Sequence, residues 1–326
     1  MNASEPSIDS LSQNGEEHRP GNRRSGVAPI VSVIVPTFNR TDAAIACLQA
    51  LCEQTLAPDR FEIILVDDGS PQPLEPVLRN WINTFSQRNL PIIRVLRQEN
   101  AGPATARNHG VTEALGEWIA FTDDDCRPLP NWLEALVDAA KQHSDALIAG
   151  STFNGFPQNL YAETNQLILE LVYEYFNKDP QDAIFYASNN WLCRRQSFLD
   201  LDGFDRSFRR AGGEDRDYCD RWRLSGRRIV FQETARVEHR HGQTLRRYLN
   251  MHFRYGSGAK TYLRERLRRQ SGTMMDDISF HRNLVRRLPI YLRRYPGMLQ
   301  KTRILIALAL WQFANAAGFA YESIVG

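Results

Sequence analysis

The stretch Ile30-Val-Ser-Val-Ile-Val-Pro36 decides the fold. Its apolar residues run almost unbroken instead of alternating, which is the pattern of a short strand buried on both faces. Pro36 has no N–H to give a ladder, so it closes the run. Strands of this kind belong to parallel sheets covered by helices on both sides. Outward from it, Asn39-Arg-Thr-Asp42 supplies cap-type residues, and Ala43 to Glu53 carries Ile45, Leu48, Leu51 and Cys52 at helical spacing. The unit then recurs: Phe61 to Val66 reads as a strand running into Asp67-Asp-Gly-Ser70, and Leu74 to Phe85 as a helix. Ile92 to Leu96, Ala104 to Leu115 and Trp118 to Thr122 read as strand, helix and strand. This alternation predicts βαβ units and a doubly wound α/β domain. Beyond Cys126 the spacing predicts helices over Asn131 to Lys141 and Leu160 to Phe176, strands near Leu147 and over Ile184 to Ala187, and a helix opening at Glu214.

The chain has 326 residues, 42% hydrophobic and 24% charged, which excludes a disordered or fibrous protein. Its net charge of +2 conceals a gradient. Arg221 to Arg303 holds 21 basic and 5 acidic residues, and the remaining 243 hold 19 basic and 33 acidic. The five cysteines form no CxxC pair or zinc spacing, so neither a structural metal nor a disulfide framework is expected, and a reducing cytosol is the simplest compartment. Residues 1–29 are polar and lack the apolar core of a signal peptide, and they read as a disordered leader.

In a doubly wound sheet, ligands sit beyond the carboxyl ends of the strands. Thr37 to Arg40, Asp67-Asp68 and Asp123-Asp-Asp125 all fall at such ends. Consecutive carboxylates repel one another unless a cation or donors neutralise them, and hard oxygen ligands suit Mg²⁺ or Mn²⁺ bridging substrate phosphates. The bland alternative is a solvated acidic turn. Gly213-Glu-Asp-Arg216 places Asp215 in the first turn of a helix, whose dipole keeps it ionised and available as a base. Val237-Glu-His-Arg-His241, if extended, sends His239 and His241 to one face, and spacing does not decide which would complete a metal site. Asn100-Ala-Gly-Pro-Ala-Thr-Ala-Arg-Asn108 opens a helix with small residues, and Arg107 offers a forked donor set to a base or phosphate. Gly256-Ser-Gly258 and Gly258-Ala-Lys-Thr261 lack the spacing and context of dinucleotide and P-loop motifs. Pro36-Thr-Phe-Asn-Arg40 has no Gly-rich phosphate loop, which sets nucleotidyl transfer aside.

Val31 to Arg40, Glu62 to Ser70, Gly102 to Asn108, Phe121 to Asp125, Gly203-Phe-Asp205 and Gly213-Glu-Asp215 occur in an order that resembles the family 2 glycosyltransferases of GT-A fold. The likeness covers about Val31 to His241. It implies a Rossmann-like, mixed but mostly parallel sheet flanked by helices, over a catalytic domain of residues 30–243. It further implies inverting transfer of a sugar from a nucleotide-diphospho-sugar, commonly a UDP-sugar, to an acceptor hydroxyl, in polysaccharide, glycolipid or cell-envelope glycan synthesis. Carried across, Pro36, Thr37 and Asn39 would line the nucleotide pocket, and Asp67 with Asp68 would bind the base. Arg107 would contact the nucleotide, Asp123 would lie by the ribose, Asp124 would belong to the same cofactor-binding set, and Asp125 would bind Mg²⁺ or Mn²⁺. Asp215 matches the catalytic base, and His239 matches a ligand of the metal or diphosphate. The reading from another class is a non-catalytic nucleotide-sugar-binding or membrane-scaffold protein on the same fold.

Residues 244–326 read as a helical, Arg-rich extension. Arg clusters next to an apolar segment attract anionic lipid head groups. Ile304 to Tyr321 is an uncharged run of 18 residues containing Gln312 and Asn315, expected to be a core or interfacial helix and not a span. No RNA- or DNA-recognition module accompanies the basic end, so nucleic acid is not an expected partner. The expected placement is cytoplasmic, peripheral on the inner face of the membrane, where a carbohydrate or lipid-linked acceptor is met.

Overall fold

The computed structural model describes residues 28–84, 89–208 and 212–325, with the backbone alone at 276 and 277. The expected leader, up to residue 27, lies outside the described residues, as does Phe85. The strands are β1 (Val31–Thr37), β2 (Phe61–Asp67), β3 (Ile92–Arg97), β4 (Trp118–Phe121), β5 (Cys126–Pro128), β6 (Leu147–Asn154), β7 (Trp191–Arg194) and β8 (Ile229–His239). They form one mixed sheet in the order β3-β2-β1-β4-β7-β6-β8-β5. The first four and the β6–β8 pair are parallel, and β7 runs antiparallel to both its neighbours.

The opening strand shows why its sequence does not alternate. Val31, Val33 and Val35 point into one core layer, against Leu48 and Leu51 of α1 (Thr41–Cys52) and Trp132, Leu133 and Leu136 of α4 (Trp132–Gln142). Ile34 points the other way, into a layer with Ala106 and Val111 of α3 (Pro103–Glu113) and Leu167 and Leu171 of α5 (Leu160–Phe176). Each fully buried aliphatic side chain contributes about 1.5–3 kcal/mol, so helices on both faces, joined by α2 (Leu74–Asn83), fix this strand at the centre. Gly110 is required where α3 meets the sheet, because a Cβ there would press on Ile34 and Val66.

One expected strand is absent. Ile184 to Ala187 joins no ladder among the described residues, because Asn177 Oδ1 accepts the backbone N–H of Ile184 and of Phe185, both at 3.0 Å, and the Tyr173 hydroxyl accepts that of Ala187. The aromatic side chains that suggested a strand instead stack laterally, Tyr186 on Phe231 with centroids 5.0 Å apart. The strand in this region is β7, a little further on.

After α6 (Arg195–Leu199) and α7 (Glu214–Leu224), three helices follow β8: α8 (Leu245–Arg269), α9 (Met274–Leu292) and α10 (Met298–Val325). Thr244 caps α8, its hydroxyl accepting from the Arg247 N–H at 3.3 Å. The glycines that fail as nucleotide motifs are packing residues. A Cβ on Gly256 would collide with the Asn315 carbonyl of α10, and one on Gly318 with the Phe253 carbonyl of α8. Gly258 abuts Gly212 in the turn before α7. The helical region is thus seated on the turn that carries Asp215.

α8 also buries His252, 1% exposed, between Tyr248 and Trp311 with no hydrogen-bond partner on either ring nitrogen among the described residues. Burial pushes its pKa down from 6.5 to about 3. Between those values the unfolded chain holds a proton that the folded chain does not, so stability falls as pH drops. We expect His252 to cost about 2 kcal/mol of stability between pH 7 and pH 5. His252→Phe should remove that increment, read as a smaller difference between urea midpoints at the two pH values; an unchanged difference would contradict the burial argument.

Candidate active site

Parallel pairing brings the predicted residues to one edge of the sheet. Thr37 is in register with Asp67, and Ile34 with Phe121, so the ends of β1, β2 and β4 open on one crevice. Thr37 Oγ1 donates to Asp124 Oδ2 at 2.8 Å. Pro36 is buried in β1, and Asn39, at a left-handed φ of 53°, donates its N–H to Ser70 Oγ at 2.8 Å.

The two carboxylates after β2 are tied into the protein. Asp68 accepts from Gln98 Nε2, Asn100 Nδ2 and the N–H groups of Ala101 and Gly102, which fills the capacity of a carboxylate. Asp67 accepts from the N–H of Ser70 and Leu74 and from Arg97. Burial raises its pKa, but these partners hold it below the ordinary carboxylate value. Both carboxylates are thus spent on the protein itself: Asp67, 1% exposed, orders the turn leading to α2, and Asp68 shapes the loop leading to Arg107.

Asp125 sits at the centre of a charge cluster. His241 Nδ1 lies 2.7 Å from its Oδ2 and His239 Nε2 lies 3.3 Å from its Oδ1, because β5 pairs with β8 so that Cys126 faces His239. Arg40 Nη1 reaches Asp125 at 2.6 Å and Asp124 at 3.0 Å. Burial raises the pKa of Asp125, yet the histidines and Arg40 outweigh it and hold the group well below the ordinary value. Asp124 lacks the histidines, and burial pushes it up to about 7. His239 and His241, alternatives by spacing, both reach Asp125.

Could this set hold a divalent cation? Ligand atoms of Asp125, Cys126 and His239 lie within 4.8 Å of one another. Cys126 is fully buried, burial pushes its thiol well up, and its soft sulfur is a poor match for a hard Mg²⁺ or Mn²⁺. Of the donors that remain, the Asp125 carboxylate suits Mg²⁺ or Mn²⁺, and adding imidazole favours Mn²⁺ of the two.

Arg107 links this strand end to α7. It is 4% exposed, with Nη2 2.7 Å from Asp123 Oδ1 and Nη1 3.6 Å from Glu214 Oε1. Its Nε and Nη1 have no hydrogen-bond partner among the described residues. Leaving buried donors unmet costs about 1–3 kcal/mol each, which fits a position that waits for an anionic ligand. Asp215 follows Gly213, whose φ is 100°, and accepts the Arg216 N–H at 2.9 Å. Burial raises its pKa against the pull of Arg107 and Arg216. Glu214 accepts the Gly212 N–H at 2.7 Å and is pushed up to about 7 by burial and by Asp215. Glu214 and Arg40 carry no role in the sequence reading, although each lies inside a quoted motif.

An edge of carboxylates, crossed by a buried arginine and faced by a Glu-Asp helix start, on this strand order, has the architecture of the GT-A fold. Residues 32–202 match the model of Glycosyl transferase family 2, and the chain belongs to that family. The chain is 32% identical over 129 residues to glycosyltransferase AglE of Haloferax volcanii, covering 40% of this chain and 41% of that relative. It is 28% identical over 235 residues to the pre-mycofactocin glycosyltransferase of Mycobacterium tuberculosis, covering 70% and 46%. The matches thus span less than half the length of these relatives. Among solved structures, the mannosyltransferase PcManGT from Pyrobaculum calidifontis is similar at a TM-score of 0.61 and 16% identity, over 92% of this chain and 87% of that one. Residues 1–349 of TarS from S. aureus give a TM-score of 0.52 at 16% identity, over 90% and 91%.

Proposed function

We propose that this chain is a metal-dependent, inverting glycosyltransferase that moves a sugar from a nucleotide-diphospho-sugar, a UDP-sugar, to an acceptor hydroxyl. The acceptor is a growing polysaccharide, glycolipid or cell-envelope glycan. The observation that carries this reading is the Arg107 bridge from Asp123 to Glu214, which holds the carboxylate end of β4 beside the turn bearing Asp215. The similar structures contain GDP-Man with Mn²⁺ in PcManGT and UDP-GlcNAc in TarS, which supports a sugar-nucleotide donor.

In this reading Thr37 and Asn39 position the nucleoside, and Arg107 uses its unmet donors on the nucleotide. Asp125, with His239 and His241, would hold a divalent cation, which supplies Lewis-acid stabilisation of the departing diphosphate. Asp215 takes the proton of the acceptor hydroxyl as its oxygen attacks the anomeric carbon. Its raised pKa makes it a stronger base than an exposed aspartate. A single displacement inverts that carbon, with no second carboxylate needed as nucleophile.

Release of nucleoside diphosphate across a panel of sugar nucleotides, with Mn²⁺ or Mg²⁺ and with chelator, tests this. We expect turnover with a UDP-sugar that chelation abolishes. Binding of a sugar nucleotide with no transfer to any glycan or lipid-linked acceptor would favour the non-catalytic reading instead.

A further inference from the structure

α10 has two unlike faces. One, including Ile304, Ala307, Trp311 and Gly318, is buried and packs mainly on α8. The other carries Leu299, Ile306, Phe313 and Ile324, spaced to fall on one stripe and exposed by 73%, 56%, 73% and 85%. No charged residue interrupts the helix between Arg303 and Glu322. A groove of about 380 Å³ between α9 and α10, lined by Leu284, Val285, Leu288, Leu305 and Ala309 among others, widens this apolar surface.

The basic residues around it are sorted by direction. Arg287 and Arg294 pair with Glu174 and Glu170 of α5. Arg282 and Arg286 on the outward face of α9, Arg293 just past its end, and Lys301 and Arg303 at the start of α10 have no ion pair among the described residues. An apolar stripe with unpaired cations along its margin matches an anionic lipid surface, where apolar side chains enter the acyl boundary and cations meet head groups. A second copy of the chain fits poorly, since a two-fold contact would set these five cations against their own images. A span fits poorly too: α10 is long and apolar enough to cross a membrane by length and composition, but α8 covers one side of it.

We propose that the α9–α10 face is an interfacial seat on an anionic leaflet, inserted by Phe313 and Ile306 and held by Arg282, Arg286 and Arg293. The proposal does not depend on the sugar-transfer reading.

Cosedimentation of the full chain with phosphatidylcholine vesicles, with and without phosphatidylglycerol, tests it. The expected result is binding to the anionic vesicles that weakens steeply with salt. Replacing the three arginines together by Gln should lower the partition coefficient about a hundredfold, about fivefold per residue. Phe313→Glu with Ile306→Glu should abolish binding at low salt as well, and both variants should keep the wild-type Tm because the side chains are exposed. Wild-type protein that binds neither vesicle, or variants that bind as well as wild type, would overturn the seat. So would a vesicle-independent dimer that Phe313→Glu dissociates, which gives the face to a second copy, or retention through alkaline washing, which makes α10 a span.

Discussion

Asp215→Asn is expected to lower kcat by about a thousandfold, within the range for removing a positioned general base, while donor affinity stays within about threefold. The amide is isosteric and can still accept the Arg216 N–H, but it takes no proton from an attacking hydroxyl. Stability supplies the control. The folded-state pKa of Asp215 is raised, so ionisation opposes folding above that pKa and the effect fades as pH falls. A neutral Asn should therefore leave Tm unchanged or raise it. A wild-type kcat in this variant would remove the base assignment. A clear fall in Tm together with activity would instead make Asp215 a structural residue of α7.

The second large effect is expected at Asp125. Asp125→Asn should weaken Mn²⁺ binding by at least about tenfold, as measured by calorimetry without substrate, and reduce turnover in parallel. Asp124→Asn provides the contrast. Asp124 is occupied by Thr37 and Arg40 and has no imidazole beside it, so that variant should hold Mn²⁺ within about threefold of wild type. Equal losses in the two variants would show that the cation is held by the pair and not by Asp125 with its histidines.

Residues that lie on long regular elements were legible in the sequence. β1 and β2 are unbroken apolar runs because both faces are buried, and Asp67 and Asp123 follow directly where those runs and β4 end. β5 and β7 were not foreseen, since strands of three and four residues carry no readable period. Ile184 to Ala187 failed for the opposite reason: its side chains have strand composition, but Asn177 captures the donors a ladder would need. Arg40 and His241 sit just past strand ends, where no periodicity sets the direction of a side chain. His241 reaches Asp125 through the pairing of β5 with β8, segments more than a hundred residues apart, and Arg40 through the pairing of β1 with β4. The carboxylates, Arg107 and the two histidines are legible in the sequence, but the part played by Arg40 emerges only from tertiary contacts.

The glycine contacts of the C-terminal helices bear on how this protein could evolve. Gly258 touches the turn before α7 backbone to backbone, and Gly256 and Gly318 let α8 and α10 interlock in the same manner. Where two main chains meet without side chains between them, no compensating substitution on one partner restores the fit. The helical region and the turn bearing Asp215 are therefore bound to diverge together. A chimera that borrows these helices from a relative must bring the glycine at 258, or it will inherit a displaced Asp215 along with its new surface.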